Sequence, residues 1–147
     1  MPGKAKQRKI RAGFQGEFGA FSQEATTKLM GSDAEAVPFP RFTDVFDALS
    51  AGDLDYAVIP MENTLHGSVY ENYDNLLRYE CRIHGETTIR ICHNLMVPPG
   101  LAFRKITRAY SHPVALNQCL DFFRNNPQIT KEIHYDTAGS PMVIKTC

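Results

Sequence analysis

The sequence lacks a charge excess of either sign: 16 Lys and Arg stand against 16 Asp and Glu in 147 residues. That balance argues against the basic footprint of a nucleic-acid-binding protein. It also lacks any run approaching the ~18 apolar residues that a membrane-crossing helix needs, so no membrane partner is expected. Its four cysteines, Cys81, Cys92, Cys119 and Cys147, lie far apart and form no C-x-x-C pair. A structural zinc site or a thioredoxin-like motif is therefore disfavoured, and free thiols in a reducing cytosol are expected. His66, His84, His93, His112 and His134 make no H-E-x-x-H or i, i+4 pair, so no metal centre is expected either. Gly16-Glu17-Phe18-Gly19 is neither a Walker loop nor a dinucleotide fingerprint, which leaves nucleotide binding without support. Residues 1–8 are basic, with no apolar segment behind them to form a secretory signal, and read as a disordered, solvated tail.

What is present is an ordinary globular composition, 43% hydrophobic and 22% charged, at about the length of one domain. Strand-like and helix-like segments alternate. Lys9 to Phe14 suits a short strand, and Ala20 to Met30 a helix that Gly31 can stop. Val37-Pro38-Phe39-Pro40 allows only a short extended piece, because proline cannot donate to a ladder. Thr43 is placed to cap a helix bearing Val45, Phe46 and Leu49, with Gly52 just past its end. Tyr56 to Pro60 reads as a buried strand. Ser68-Val69-Tyr70-Glu71 has the form of a capping box ahead of a helix whose apolar stripe would be Tyr73, Leu76 and Leu77.

Arg82 to Val97 alternates as an extended segment, which sets Cys92 and His93 on opposite faces and excludes a dyad. Ala109-Tyr110 suits a strand, and Pro113 starts a helix burying Val114, Leu116, Leu120 and Phe123. Ile129 to Tyr135 is a last strand, and Asp136 to Ser140 opens a further helix. The alternation implies an α/β protein with mostly parallel pairing.

In open α/β sheets, ligands bind beyond the carboxyl ends of the strands. Four such junctions are rich in small polar groups: Phe14 to Glu17, Pro60 to Ser68, Tyr110 to Pro113, and Tyr135 to Ser140. Each sets backbone N–H groups at the positive end of a helix, which suits a small anionic ligand. Ser68 reads first as a helix cap. Ser111 and Ser140 are open between cap and ligand contact, Glu62 between a site role and a structural hydrogen bond, and His112 between ligand contact and cap. Gln118, in the second turn of its helix, would by default be a surface residue.

Taken together, these junctions resemble prephenate dehydratase from about Lys9 to the end of the chain. The matching stretches are Phe14 to Ser22, Phe46 to Tyr56, Pro60 to Asn72, Asn72 to Leu77, Tyr110 to Pro113 and Tyr135 to Ser140. The resemblance implies a two-lobed α/β fold like that of type II periplasmic solute-binding proteins, with mixed, mostly parallel sheets. Its first lobe would span residues 9–80 and its second, incomplete, residues 81–147, without the family's regulatory ACT domain. It implies a hydro-lyase that converts prephenate to phenylpyruvate, water and carbon dioxide in phenylalanine biosynthesis, using neither metal nor organic cofactor. Arogenate dehydratase, or a non-catalytic module binding a small anion, are the alternatives. By the same resemblance Glu62, Asn63, Ser111, Gln118 and Thr137 form the catalytic set, and Gln15, Gly16, Thr64, Ala138, Gly139 and Ser140 bind substrate. A cytoplasmic homo-oligomer is expected for the full-length protein. The family's Thr-Arg-Phe motif, regarded as central to catalysis, does not occur here, and His66 stands where a small residue is usual.

Overall fold

The computed structural model describes residues 8–134 and divides them into two compact units, one up to Ile89 and one from Arg90. The first unit is built on a three-stranded parallel sheet. Its strands are β1 (Arg11–Gln15), β2 (Glu35–Phe39) and β3 (Tyr56–Val58), in the order β2-β1-β3. Phe14 of the central strand pairs with Pro38 on one side and Val58 on the other. Pro38 is tolerated because β2 lies at the sheet edge, where a missing N–H breaks no second ladder.

Two helices follow the first two strands, α1 (Phe21–Met30) and α2 (Phe42–Ser50). α1 ends as its sequence implies: Gly31 adopts a φ of 79° and returns its N–H to the Thr27 carbonyl at 2.9 Å. α2 starts differently. The helix begins at Phe42, so Thr43 lies inside the first turn and caps nothing. Arg41 instead bonds Asp44 through two guanidinium nitrogens at 2.6 and 3.1 Å, and this bond holds the Asp44 carboxyl below the ordinary carboxylate range. Val45 and Phe46 bury one side of α2 with Ala12, Phe14, Leu54 and Val58, which form the core of this unit. That burial supplies the hydrophobic free energy of the unit.

After β3 the chain makes a small antiparallel hairpin, β4 (Glu62–Asn63) with β5 (Gly67–Ser68), and then α3 (Tyr70–Arg78). Two expectations are corrected here. Ser68 is committed to the ladder opposite Glu62, and Val69 sends its N–H to the Met61 carbonyl at 2.8 Å, so the helix starts later and no Ser68 capping box forms. The inward face of α3 is also rotated. Asn72 and Asn75 are buried, whereas Tyr73 is partly exposed and Leu77 is 81% exposed. The inward position at 72 is taken by a side chain that must satisfy the Pro60 carbonyl, which no leucine could do. Tyr79 closes the helix against α2, its ring stacked on Phe46 at 5.3 Å and its hydroxyl donating to Asp47 at 2.6 Å.

Residues 81–98 form no strand. Their alternation is real, but no described segment pairs with them, and alternation without a ladder leaves Ile83, Ile91, Leu95 and Val97 exposed. The stretch up to Ile89 is tied to the first unit by side chains: Lys28 Nζ donates to the Thr88 carbonyl at 2.9 Å, and His84 meets the Tyr56 ring edge-on.

The second unit contains a 3-10 turn (Phe103–Lys105), β6 (Arg108–Ser111), α4 (Pro113–Gln118), α5 (Leu120–Asn125) and β7 (Thr130–Ile133). β6 and β7 are parallel, with Ser111 opposite Ile133. Ile106, Leu116, Phe123 and Ile129 form its core. The single helix expected after Pro113 is broken at Cys119, whose ψ of 26° redirects the chain. The break turns Phe123 into the core while Val114 and Leu120 stay exposed. The helix expected from Asp136, and residues 1–7 of the basic stretch, lie outside the described residues. Among the described residues, no helix is long and apolar enough to cross a membrane.

Candidate active site

In the first unit, the carboxyl ends of two adjacent strands hold five of the expected residues. Gln15 closes β1 and donates its side-chain N–H to the Pro40 carbonyl at 3.3 Å. Gly16 follows with φ of 115°, its N–H bonded to the Phe39 carbonyl at 2.9 Å. A side chain there would be strained by that φ and would press on the Ala20 methyl, which makes this glycine a requirement of the turn.

Glu62, Asn63 and Thr64 sit on the β4–β5 hairpin, four to six residues beyond the end of β3. Asn63 builds the turn. Its Oδ1 accepts from the N–H groups of Leu65 at 2.9 Å and His66 at 3.2 Å, an Asx arrangement that sets the exposed Thr64 at the tip. Glu62 is exposed, and its Oε1 accepts a hydrogen bond from the Tyr73 hydroxyl at 3.2 Å. Partial desolvation, and then this bond, hold the Tyr73 phenol above its ordinary value, while a hydrogen bond with Ser68 pulls the other way. The hairpin and the second helical residue pair, Asn72 and Tyr73, thus form one polar assembly: Asn72 holds the segment leading into the hairpin at the Pro60 carbonyl, and Tyr73 holds the Glu62 carboxylate.

In the second unit, Ser111 ends β6, with its carbonyl accepting from the His134 N–H at 2.9 Å. His112 resolves as a cap: its Nδ1 accepts from the Val114 N–H at 3.2 Å, ahead of Pro113. Gln118 is not a free surface residue, since its Oε1 lies 2.6 Å from His93 Nε2 and both side chains are partly buried. Thr137, Ala138, Gly139 and Ser140 lie outside the described residues.

The expected supply of helix-start N–H groups is smaller than the junctions suggested. The Gly19 N–H is taken by Gln23 Oε1 at 2.6 Å, the Gly16 N–H by Phe39, and the Val114 N–H by His112. Among the described residues, no three of His, Cys, Asp and Glu are gathered as a metal site.

A family model for prephenate dehydratase matches residues 12–146. The chain belongs to the prephenate dehydratase family. Arogenate dehydratase 1 of Petunia hybrida is 39% identical over 132 residues, covering 89% of this chain and 31% of that protein. Arogenate dehydratase/prephenate dehydratase 2, chloroplastic, of Arabidopsis thaliana is 37% identical over 132 residues, covering 90% of this chain and 34% of that one. Among solved structures, a prephenate dehydratase from Arthrobacter aurescens in complex with L-Phe superposes with a TM-score of 0.71 at 25% identity. It covers 92% of this chain and 45% of its own. A structure described as GqqA, a novel type of quorum quenching acylase, gives 0.80 at 26% identity, with 92% and 49% covered. The chain thus spans about a third of the length of the curated relatives it matches. Membership of the prephenate dehydratase family agrees with the parallel α/β architecture and gives the fold as periplasmic-binding-protein-like.

Three residues of the described site escaped the sequence reasoning. Asn72 and Tyr73 fall inside a motif whose spacing reads as an apolar stripe of Tyr73, Leu76 and Leu77, which hides the polar role of both. A tyrosine beside an asparagine, ten and eleven residues after a glutamate, was the available signal. For His93 there was none, because its partner is 25 residues away.

Proposed function

We propose that the chain binds prephenate and belongs to a carbon–oxygen lyase releasing phenylpyruvate, water and carbon dioxide in phenylalanine biosynthesis. The observation that carries this reading is the family match across residues 12–146. The polar groups of the two units support it. In the reaction, the ring carboxylate leaves as carbon dioxide and its electron pair enters the ring. The ring hydroxyl departs with its own C–O pair and takes a proton to become water, and aromatisation drives the step. The protein therefore has to hold a dianion and offer a donor to the departing oxygen.

Ser111 and Thr137 supply hydrogen bonds to substrate in this reading, while Asn63 and Gln118 orient it. Glu62 is the polar or acid group near the leaving oxygen. Gln15, Gly16, Thr64, Ala138, Gly139 and Ser140 complete the binding set. No metal or organic cofactor enters the chemistry. Arogenate is the second reading, favoured by the relatives named arogenate dehydratase; it would yield phenylalanine in place of phenylpyruvate. The free thiols Cys81, Cys92 and Cys119 suit a reducing compartment, taken here as the cytosol. A homo-oligomer fits the exposure of Tyr70 and Leu77 on α3.

The test is turnover of prephenate followed as phenylpyruvate absorbance, beside arogenate followed as phenylalanine. Phenylpyruvate formation supports the first reading and phenylalanine formation alone the second. Tight binding of prephenate without either product would leave a binding module.

A further inference from the structure

Ser68 and Glu62 face each other across the β4–β5 ladder, so their side chains stand side by side on one face of the hairpin. The Tyr73 hydroxyl reaches that face from α3: it donates to Glu62 Oε1 at 3.2 Å and also bonds Ser68. A phenol carries one hydrogen, and Glu62 receives it, so Ser68 meets the phenol oxygen as a donor. The hydrogen bonds therefore run one way, from Ser68 to Tyr73 to Glu62. Ser68, which caps no helix, has its partner here.

Oε1 of Glu62 accepts whether or not the carboxyl group is ionised, because the group facing it is a donor. A proton on Glu62 thus belongs on Oε2, and so does any contact to a ligand. Among the described residues Glu62 makes no second hydrogen bond. We propose that Ser68 and Tyr73 are positioning residues: together they engage Oε1 of Glu62 and leave Oε2 as the oxygen that meets the ring hydroxyl of bound prephenate. This rests on the reading of Glu62 as the group near the leaving oxygen given above. A free, exposed glutamate would lose side-chain freedom on binding, and one already held by Oε1 loses less, so that affinity is gained by preorganisation. Ser68 contributes by keeping the phenol hydrogen turned to Oε1, and hydrogen bonds joined in one direction strengthen one another.

The experiment combines one spectrum with one titration series on the whole chain. With 13C in the glutamate carboxyl groups, the Glu62 signal is assigned by its loss in Glu62→Gln. It is expected to move in Tyr73→Phe, to move less in Ser68→Ala, and to keep its place in Ser68→Thr, which retains a hydroxyl. Calorimetric titration with prephenate is expected to show Glu62→Ala weakened by about tenfold, Tyr73→Phe by about fivefold and Ser68→Ala by about threefold, with Ser68→Thr matching the parent. Tyr73→Phe is expected to add no loss to Glu62→Ala, and Ser68→Ala none to Tyr73→Phe, because each residue acts through the next.

A Glu62 signal that Tyr73→Phe leaves in place overturns the chain of hydrogen bonds whatever the ligand does. Losses from Ser68→Ala and Tyr73→Phe that add in the double variant overturn it too, since Ser68 would then act on the ligand directly. Unchanged affinity in Glu62→Ala overturns the place of Glu62 in the site, and the positioning role with it. No binding by the folded parent overturns the reading on which that role rests, and the role falls too; the carboxyl signals then tell whether the hydrogen bonds failed as well.

Discussion

Asn72, with none of its surface exposed, donates its side-chain Nδ2 to the Pro60 carbonyl at 2.8 Å and so locks α3 to the connection between β3 and the Glu62–Asn63 hairpin. The bond sits twelve residues across the chain, so it fixes where the hairpin leaves the sheet. Asn72→Ala removes the donor and opens space at a fully buried position. It is expected to cost about 1–2 kcal/mol of stability, measured by urea denaturation. An unchanged midpoint would show that the hairpin is held by other means.

Tyr73 should behave in the opposite way. Its hydroxyl bonds Glu62 at a partly exposed position, so Tyr73→Phe is expected to shift stability by less than ~0.5 kcal/mol. The same variant frees the Glu62 carboxylate, and prephenate affinity is expected to fall by a few fold, on the order of one lost hydrogen bond. Calorimetry beside a melting curve separates the two effects. A large loss of stability with unchanged affinity would make the tyrosine a packing residue only.

Gly13, buried at the centre of β1, leaves no room for a methyl group: a Cβ there would run into Leu54 Cδ1 and lie 3.2 Å from both Phe39 and Val45. Gly13→Ala is expected to destabilise the first unit by about 1–3 kcal/mol through overpacking. Thermal denaturation checks this, and a neutral result would show that Leu54 simply swings away.

Asp55 ties the start of β1 to the loop before β3. Its carboxylate accepts from the Arg11 N–H at 2.8 Å and from Arg8 at 2.9 Å, and the Arg11 bond, more than the Arg8 charge, holds it below the ordinary carboxylate value. A carboxyl whose folded value is depressed stabilises the protein above its unfolded value of ~3.9 and loses that contribution as pH falls through the folded one. Asp55→Asn is therefore expected to be less stable than the parent at neutral pH, with the difference vanishing towards the acid end. A difference that persists at low pH would assign the loss to packing.

The parallel α/β order was legible because each strand and helix in it is set by local chemistry: the run ending at Phe14, the Gly31 stop, and Pro113 at the first turn of α4. What stayed hidden depends on partners distant in the chain. Ser68 looked like a cap until Glu62 paired with it, and Leu77 looked inward until Asn72 took that direction for Pro60. The alternation of residues 82–97 specified two faces but not a ladder to place them in. In the site, Asn63 was legible as a polar junction residue, yet its binding of Leu65 and His66 belongs to the folded turn. The His93 contact with Gln118 has no sequence signature at all.

The most direct test of the account is calorimetric titration of prephenate into this chain and into Asn63→Ala and Ser111→Ala, with each variant's fold checked by its far-ultraviolet spectrum. Saturable binding by the parent, weakened by about tenfold or more in folded variants, is the expected result. Equal binding in all three would contradict the assignment of the site, and no binding by the folded parent would contradict the proposed function.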